Sequence, residues 1–62
     1  MKIRAFLNRA EGYAEARGDS KLFKDRYEYY RYSNSVRESA RMALDYLYGQ
    51  DVANTIEDYT GV

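Results

Sequence analysis

A small all-α bundle of three to four short helices is the fold that this sequence predicts. Three observations carry it. Apolar residues recur at three- and four-residue spacing in separate segments, glycines fall where those segments end, and none of the 62 residues is proline. A chain of this length reads as a single helical domain over residues 1–62. Such a domain buries only about 60% of its unfolded surface, so its core is thin.

Residues 3–17 read as the first amphipathic helix, because Ile3, Phe6, Leu7, Ala10, Tyr13 and Ala14 share one face at helical spacing. Gly12 is a mild internal cost. Gly18 stands where a left-handed C-terminal cap is wanted, and Asp19 or Ser20 can cap the helix that follows.

The next stretch admits two readings. In one, a helix over 21–32 buries Leu22, Phe23, the stem of Arg26, Tyr27 and Tyr30 and breaks at Ser33-Asn34. The chain then restarts through a capping box at Ser35-Val36-Arg37-Glu38. In the other, one long central helix runs over 21–48 with flanking helices, on a seam of Leu22, Arg26, Tyr29, Ser33, Val36, Ala40, Ala43 and Leu47. The break is favoured, since Ser33 and Asn34 compete with helix through local side-chain hydrogen bonds.

Val36–Tyr48 is helical in both readings. Val36, Ala40, Ala43, Leu44 and Leu47 share a face, and the small Ser39, Ala40 and Ala43 allow a close helix approach. Gly49 is a second C-terminal cap signal, and Asp51 can cap a short final helix carrying Val52, Ile56 and Tyr59. The expected core anchors are Ile3, Phe6, Leu7, Leu22, Phe23, Val36, Leu44, Leu47, Val52 and Ile56, with Met42 as a filler.

The chain has neither Cys nor His. Disulfides are excluded, and the usual soft and imidazole ligands for zinc, iron or copper are missing, so no metal and no cofactor is expected. Oligomerisation, here a homodimer, is the stabilising device left to so small a domain. Ser20, Ser33, Ser35 and Ser39 have no His or Cys to activate them, and each has a capping or packing explanation. Gly12, Gly18, Gly49 and Gly61 are too scattered to form a phosphate loop. Glu11 and Glu15, one helical turn apart, read as a solvated face; two carboxylates alone hold a hard cation weakly. No enzymatic role is expected.

Ten basic and ten acidic residues cancel, but unevenly. Residues 1–16 carry +1; residues 17–41, with seven basic against four acidic, carry +3; residues 42–62, with four acidic and no basic, carry −4. Such asymmetry suits complementary surfaces within a fold or between protomers, and less readily a polyanion. Met1-Lys2 followed by Arg4 does not open a signal peptide, Tyr59-Thr60-Gly61-Val62 carries no lipidation or retention signal, and no segment approaches the roughly eighteen apolar residues of a membrane span. A soluble, cytoplasmic protein is expected, with no membrane partner.

The most informative segment is residues 26–37, where Tyr27, Tyr29, Tyr30 and Tyr32, four of the eight tyrosines, are interleaved with Arg26, Arg31 and Arg37. On a helix these four rings fall at roughly 0°, 200°, 300° and 140°, so one core-facing stripe cannot hide them all. Tyr and Arg are the residues in which binding hot spots are enriched. The segment therefore predicts a protein-binding surface centred on Tyr29, Tyr30, Arg31 and Tyr32, with Arg26 and Arg37 at its rim. The alternative is nucleic acid, most plausibly single-stranded, held by the same rings with Arg26, Arg31, Arg37 and Arg41. A helix-turn-helix is disfavoured, because the would-be reading helix over 52–59 carries Glu57 and Asp58 and no Arg or Lys. A small regulator, inhibitor or adaptor, of the kind phages and mobile elements encode, fits this composition.

Overall fold

The computed structural model describes residues 3–60, with side chains for residues 4–59. Expectations for the Ile3 side chain and for residues 1–2 and 61–62 lie outside the described residues. Four helices, α1 (Ile3–Ala16), α2 (Ser20–Arg31), α3 (Val36–Tyr48) and α4 (Gln50–Thr60), pack into one bundle. No strand occurs among the described residues. No helix among them is long and apolar enough to cross a membrane.

Each break has a local cause. α1 ends in a Schellman turn: Gly18 takes φ 77°, the Asp19 N–H donates to the Ala14 carbonyl at 2.8 Å, and the Gly18 N–H donates to that of Glu15 at 3.0 Å. The chain does break between α2 and α3. The Asn34 side-chain amide donates to the Tyr30 carbonyl at 2.9 Å, the Arg31 guanidinium donates to the Asn34 carbonyl at 2.7 Å, and the single long helix is thereby ruled out. The capping box opens α3: the Glu38 N–H donates to Ser35 Oγ at 3.2 Å, and the Ser35 N–H to Glu38 Oε1 at 3.4 Å.

Between α3 and α4 there is only Gly49, at φ 95° and ψ 167°. That region is essentially open to glycine alone. Its N–H donates to the Asp45 carbonyl at 3.0 Å, and its own carbonyl accepts from the Ala53 N–H at 3.3 Å, so one residue closes one helix and opens the next. Two caps expected from sequence differ in consequence. α4 starts at Gln50, which leaves Asp51 in its first turn, where its charge favours the helix N-terminus. Asp19 does occupy the position before α2, but its carboxylate makes no cap hydrogen bond there.

The core is smaller-grained than its expected anchors. Phe6, Ala10 and Ala14 of α1, Phe23 of α2, Ala40, Ala43 and Leu44 of α3, and Ala53 and Ile56 of α4 form the buried cluster. Leu7, Leu47 and Val52 pack against it only in part, and Leu22 is 55% exposed. Alanines at five of these nine positions bring helix axes close, and small side chains set separations toward the short end of about 8–10 Å. α3 touches all three other helices, and so does α1, whereas no Cα of α2 lies within 8 Å of α4 among the described residues. α1 and α3 thus form the central pair, with α2 on one flank and α4 on the other.

Two consequences are measurable. Leu44→Ala removes one of the largest fully buried side chains and should cost about 2–5 kcal/mol in urea unfolding, whereas Leu22→Ala should stay within about 0.5 kcal/mol. Gly49→Ala meets no steric neighbour within 4 Å, yet its positive φ should cost about 1–3 kcal/mol by the same measurement.

Candidate protein-interaction face

The eight tyrosines divide evenly. Tyr13, Tyr27, Tyr30 and Tyr48 pack against the core, while Tyr29, Tyr32, Tyr46 and Tyr59 are exposed by 63%, 92%, 58% and 72%. The α2 wheel explains its share. Phe23, Tyr27 and Tyr30 fall on the inner face, with Phe23 and Tyr27 stacked at 6.1 Å. Leu22, Arg26 and Tyr29, at positions i, i+4 and i+7, form an outer flank.

Tyr46 of α3 joins that flank. The Arg26 guanidinium lies 3.8 Å from the centroid of the Tyr46 ring and 5.4 Å from that of Tyr29, and Tyr29 meets Tyr30 edge-to-face at 5.2 Å. Arg26 is therefore held by two cation–π contacts and makes no ion pair among the described residues. Its planar fork, with five N–H donors, is oriented and meets no carboxylate among the described residues.

The other arginines of the segment are engaged elsewhere. Arg31 is exposed and donates to the Asn34 carbonyl, closing the end of α2. Tyr32, the last residue of that helix end, stands almost free in solvent. Arg37 stands nine residues before Tyr46, which at 100° per residue is about 180° around α3. It accordingly faces α4, pairing with Glu57 and lying 6.0 Å from the Phe6 ring centroid. Arg41 also pairs with Glu57, donates to Asn54 Oδ1 at 2.6 Å, and sets its Nε 3.5 Å from Asp45 Oδ1. The structure thus brings Arg26, Tyr29 and Tyr30 together, leaves Arg31 and Tyr32 at the adjoining helix end, and turns Arg37 to the opposite flank. Tyr46 is the member that sequence reasoning missed. The wheel of α3 puts it beside the buried face, but only the packing of α2 against α3 shows which neighbour it meets.

A second aromatic cluster is structural. Tyr13 and Tyr48 meet edge-to-face at 5.0 Å, and the Arg17 guanidinium lies 4.7 Å and 5.7 Å from their respective centroids. The Tyr48 hydroxyl donates to Asp19 Oδ2 at 2.7 Å, tying the α1–α2 turn to the end of α3. The Asp19 backbone, at φ −110° and ψ 19°, lies outside the extended region that an N-cap takes. Burial, reinforced by that carboxylate, pushes the Tyr48 hydroxyl up to about 12.

Two open grooves flank α1. One, of about 590 Å³ between α1 and α2, is lined by Glu11, Glu15, Lys24 and Glu28 over Phe23 and Tyr27. The other, of about 630 Å³ between α1 and α4, is lined by Ala5, Gly12, Tyr13, Ile56 and Tyr59. Among the described residues no group of three or more His, Cys, Asp or Glu is placed to hold a metal ion. Compared with protein-family models, curated proteins and solved structures, the chain matches none.

The raised Tyr48 value gives a pH dependence of definite sign. The folded state holds this proton more tightly than the unfolded chain, so its contribution is complete below about pH 10 and is lost as pH rises toward 12. Alkaline unfolding followed by circular dichroism should show that loss, and Tyr48→Phe should remove this residue's share of it.

Proposed function

We propose that the protein is a small, non-enzymatic protein-binding module, a regulator, inhibitor or adaptor, whose contact surface is the outer face of α2 with Tyr46 of α3. The observation that carries this is Arg26, stacked between two exposed tyrosines with no ion-pair partner among the described residues. Tyr and Arg at the centre of a patch are hot-spot residues, and rigid rings lose little rotamer entropy on binding. Leu22 adds exposed apolar area to the same flank. Tyr32, three residues beyond Tyr29, extends the face at the end of α2, while Arg31 lies on the other side of the helix and closes the turn at Asn34; a second copy of the chain is one partner the face can take. Single-stranded nucleic acid would use the same rings, but Arg37 and Arg41 are paired with Glu57 and Asp45, which withdraws two of the four arginines from a phosphate backbone.

The test is affinity capture from a native lysate by wild-type protein and by Tyr29→Ser/Tyr46→Ser, each with and without nuclease. Capture of specific protein should survive nuclease and moderate salt. The double variant should lose it, since truncating a central tyrosine costs about 2 kcal/mol or more. Capture that disappears with nuclease would transfer the function to nucleic acid. Capture unchanged in the variant would move the contact surface elsewhere.

A further inference from the structure

Folding turns the charge asymmetry of the sequence into an asymmetry of the surface. α2 carries Lys21, Lys24, Arg26 and Arg31 against Asp25 and Glu28, a net +2. α4 carries Asp51, Glu57 and Asp58 with no basic residue, a net −3. α1 and α3, with two basic and two acidic residues each, are neutral and lie between them. α2 and α4 do not touch, so the positive and the negative helix stand on opposite flanks of one small body.

On each flank the uncompensated charge points outward. Arg26 has no ion pair on α2. On α4, Glu57 is taken up by Arg37 and Arg41, but Asp51 and Asp58 are exposed and make no ion pair among the described residues. Asp51, Thr55 and Asp58 follow at i, i+4 and i+7, a stripe on the side of α4 away from buried Ala53 and Ile56. Leu22, Arg26 and Tyr29 repeat the same spacing on α2. One helix thus offers a carboxylate at each end of its stripe, and either one can meet an oriented guanidinium fork on the other through both of its oxygens.

We propose that a second copy of this chain docks head to tail, its Asp51–Asp58 stripe of α4 on the Leu22–Arg26–Tyr29–Tyr46 face of the first. Charge complementarity selects this arrangement over two-fold pairing. Two α2 faces together set Arg26 against Arg26, and two α4 stripes oppose −2 to −2, whereas the α2 face against the α4 stripe opposes unlike charge. Because the two surfaces lie on opposite flanks, each copy engages two different neighbours, so the contact is heterologous and extends into rings or open chains. A net charge of zero removes the overall repulsion that would oppose this.

This inference rests on the binding face assigned above and adds its occupant, and the experiment separates the two. Sedimentation velocity is run on wild type, on Arg26→Glu, on Asp51→Asn/Asp58→Asn, and on an equimolar mixture of the two variants, with circular dichroism confirming unchanged helicity. Wild type should associate beyond two copies with rising concentration at low salt. It should return to monomer near 1 M salt, where the screening length falls to about 3 Å. Each variant alone should associate at least about tenfold more weakly. Their mixture should form a one-to-one heterodimer and nothing larger, because the variants between them retain one intact face of each kind. Association that stops at two copies and persists in Arg26→Glu overturns head-to-tail docking in favour of a two-fold dimer. A mixture that forms no complex overturns the pairing of these two faces. Wild type that stays monomeric overturns self-docking while leaving the captured foreign partner, and its loss in Tyr29→Ser/Tyr46→Ser, untouched.

Discussion

The bundle depends on α3 touching every other helix at once. A helix surrounded in this way cannot present large side chains in all directions without forcing its neighbours apart. Ser39, Ala40 and Ala43 keep its buried surface shallow, and Leu44 alone fills the space left at the centre with Phe6 of α1. Ser39 is fully buried, and its hydroxyl donates to the Asn34 carbonyl at 3.4 Å, so the one buried polar side chain among the described residues also anchors the turn from α2. Close packing of small residues replaces the bulk that such a short chain lacks, through dispersion contacts between backbones rather than large apolar side chains.

The polar contacts around this core are arranged by helix flank. Toward α4, Arg37 and Arg41 converge on Glu57, with Asn54 and Asp45 completing the set, and this clamp holds α4 against α3 beyond the single-residue turn at Gly49. Half-exposed pairs of this kind contribute modestly one by one, and more where several charges share a network. Toward the α1–α2 turn, Tyr48, Asp19, Tyr13 and Arg17 form a second tie. Toward the outer face of α2 there is no such closure. Arg26 is stacked and makes no ion pair among the described residues, and the rings that hold it are open to solvent. Structural and interaction roles are thus divided among chemically similar residues by where each flank points.

Much of this was legible in the chain. The Schellman glycine at position 18, the capping box at Ser35 and Glu38, the break at Ser33-Asn34 and the amphipathic faces of α1 and α3 are local features set by backbone conformation and near-neighbour hydrogen bonds. Leu22 was misleading because hydrophobicity alone does not say which side of a helix meets the core. One position away, Phe23 holds the inner face and leaves Leu22 outside. Asp19 was misleading because its backbone is not in the extended conformation of an N-cap and its carboxylate accepts instead from the distant Tyr48 hydroxyl.

The sequence by itself determined the helical class and the glycine caps, favoured the break at Ser33-Asn34, and required that some tyrosine surface remain uncovered. Those follow from periodicity, glycine geometry and the angles between successive side chains, none of which needs a neighbour. Only the tertiary structure decided which tyrosines those are, that Tyr46 shares Arg26 with Tyr29, and that Arg37 belongs to the α4 clamp. It also decided that the basic and acidic helices face apart rather than neutralise each other. Such outcomes depend on which helices pack side by side, and contacts between residues far apart in the chain are set by the close packing of the whole bundle.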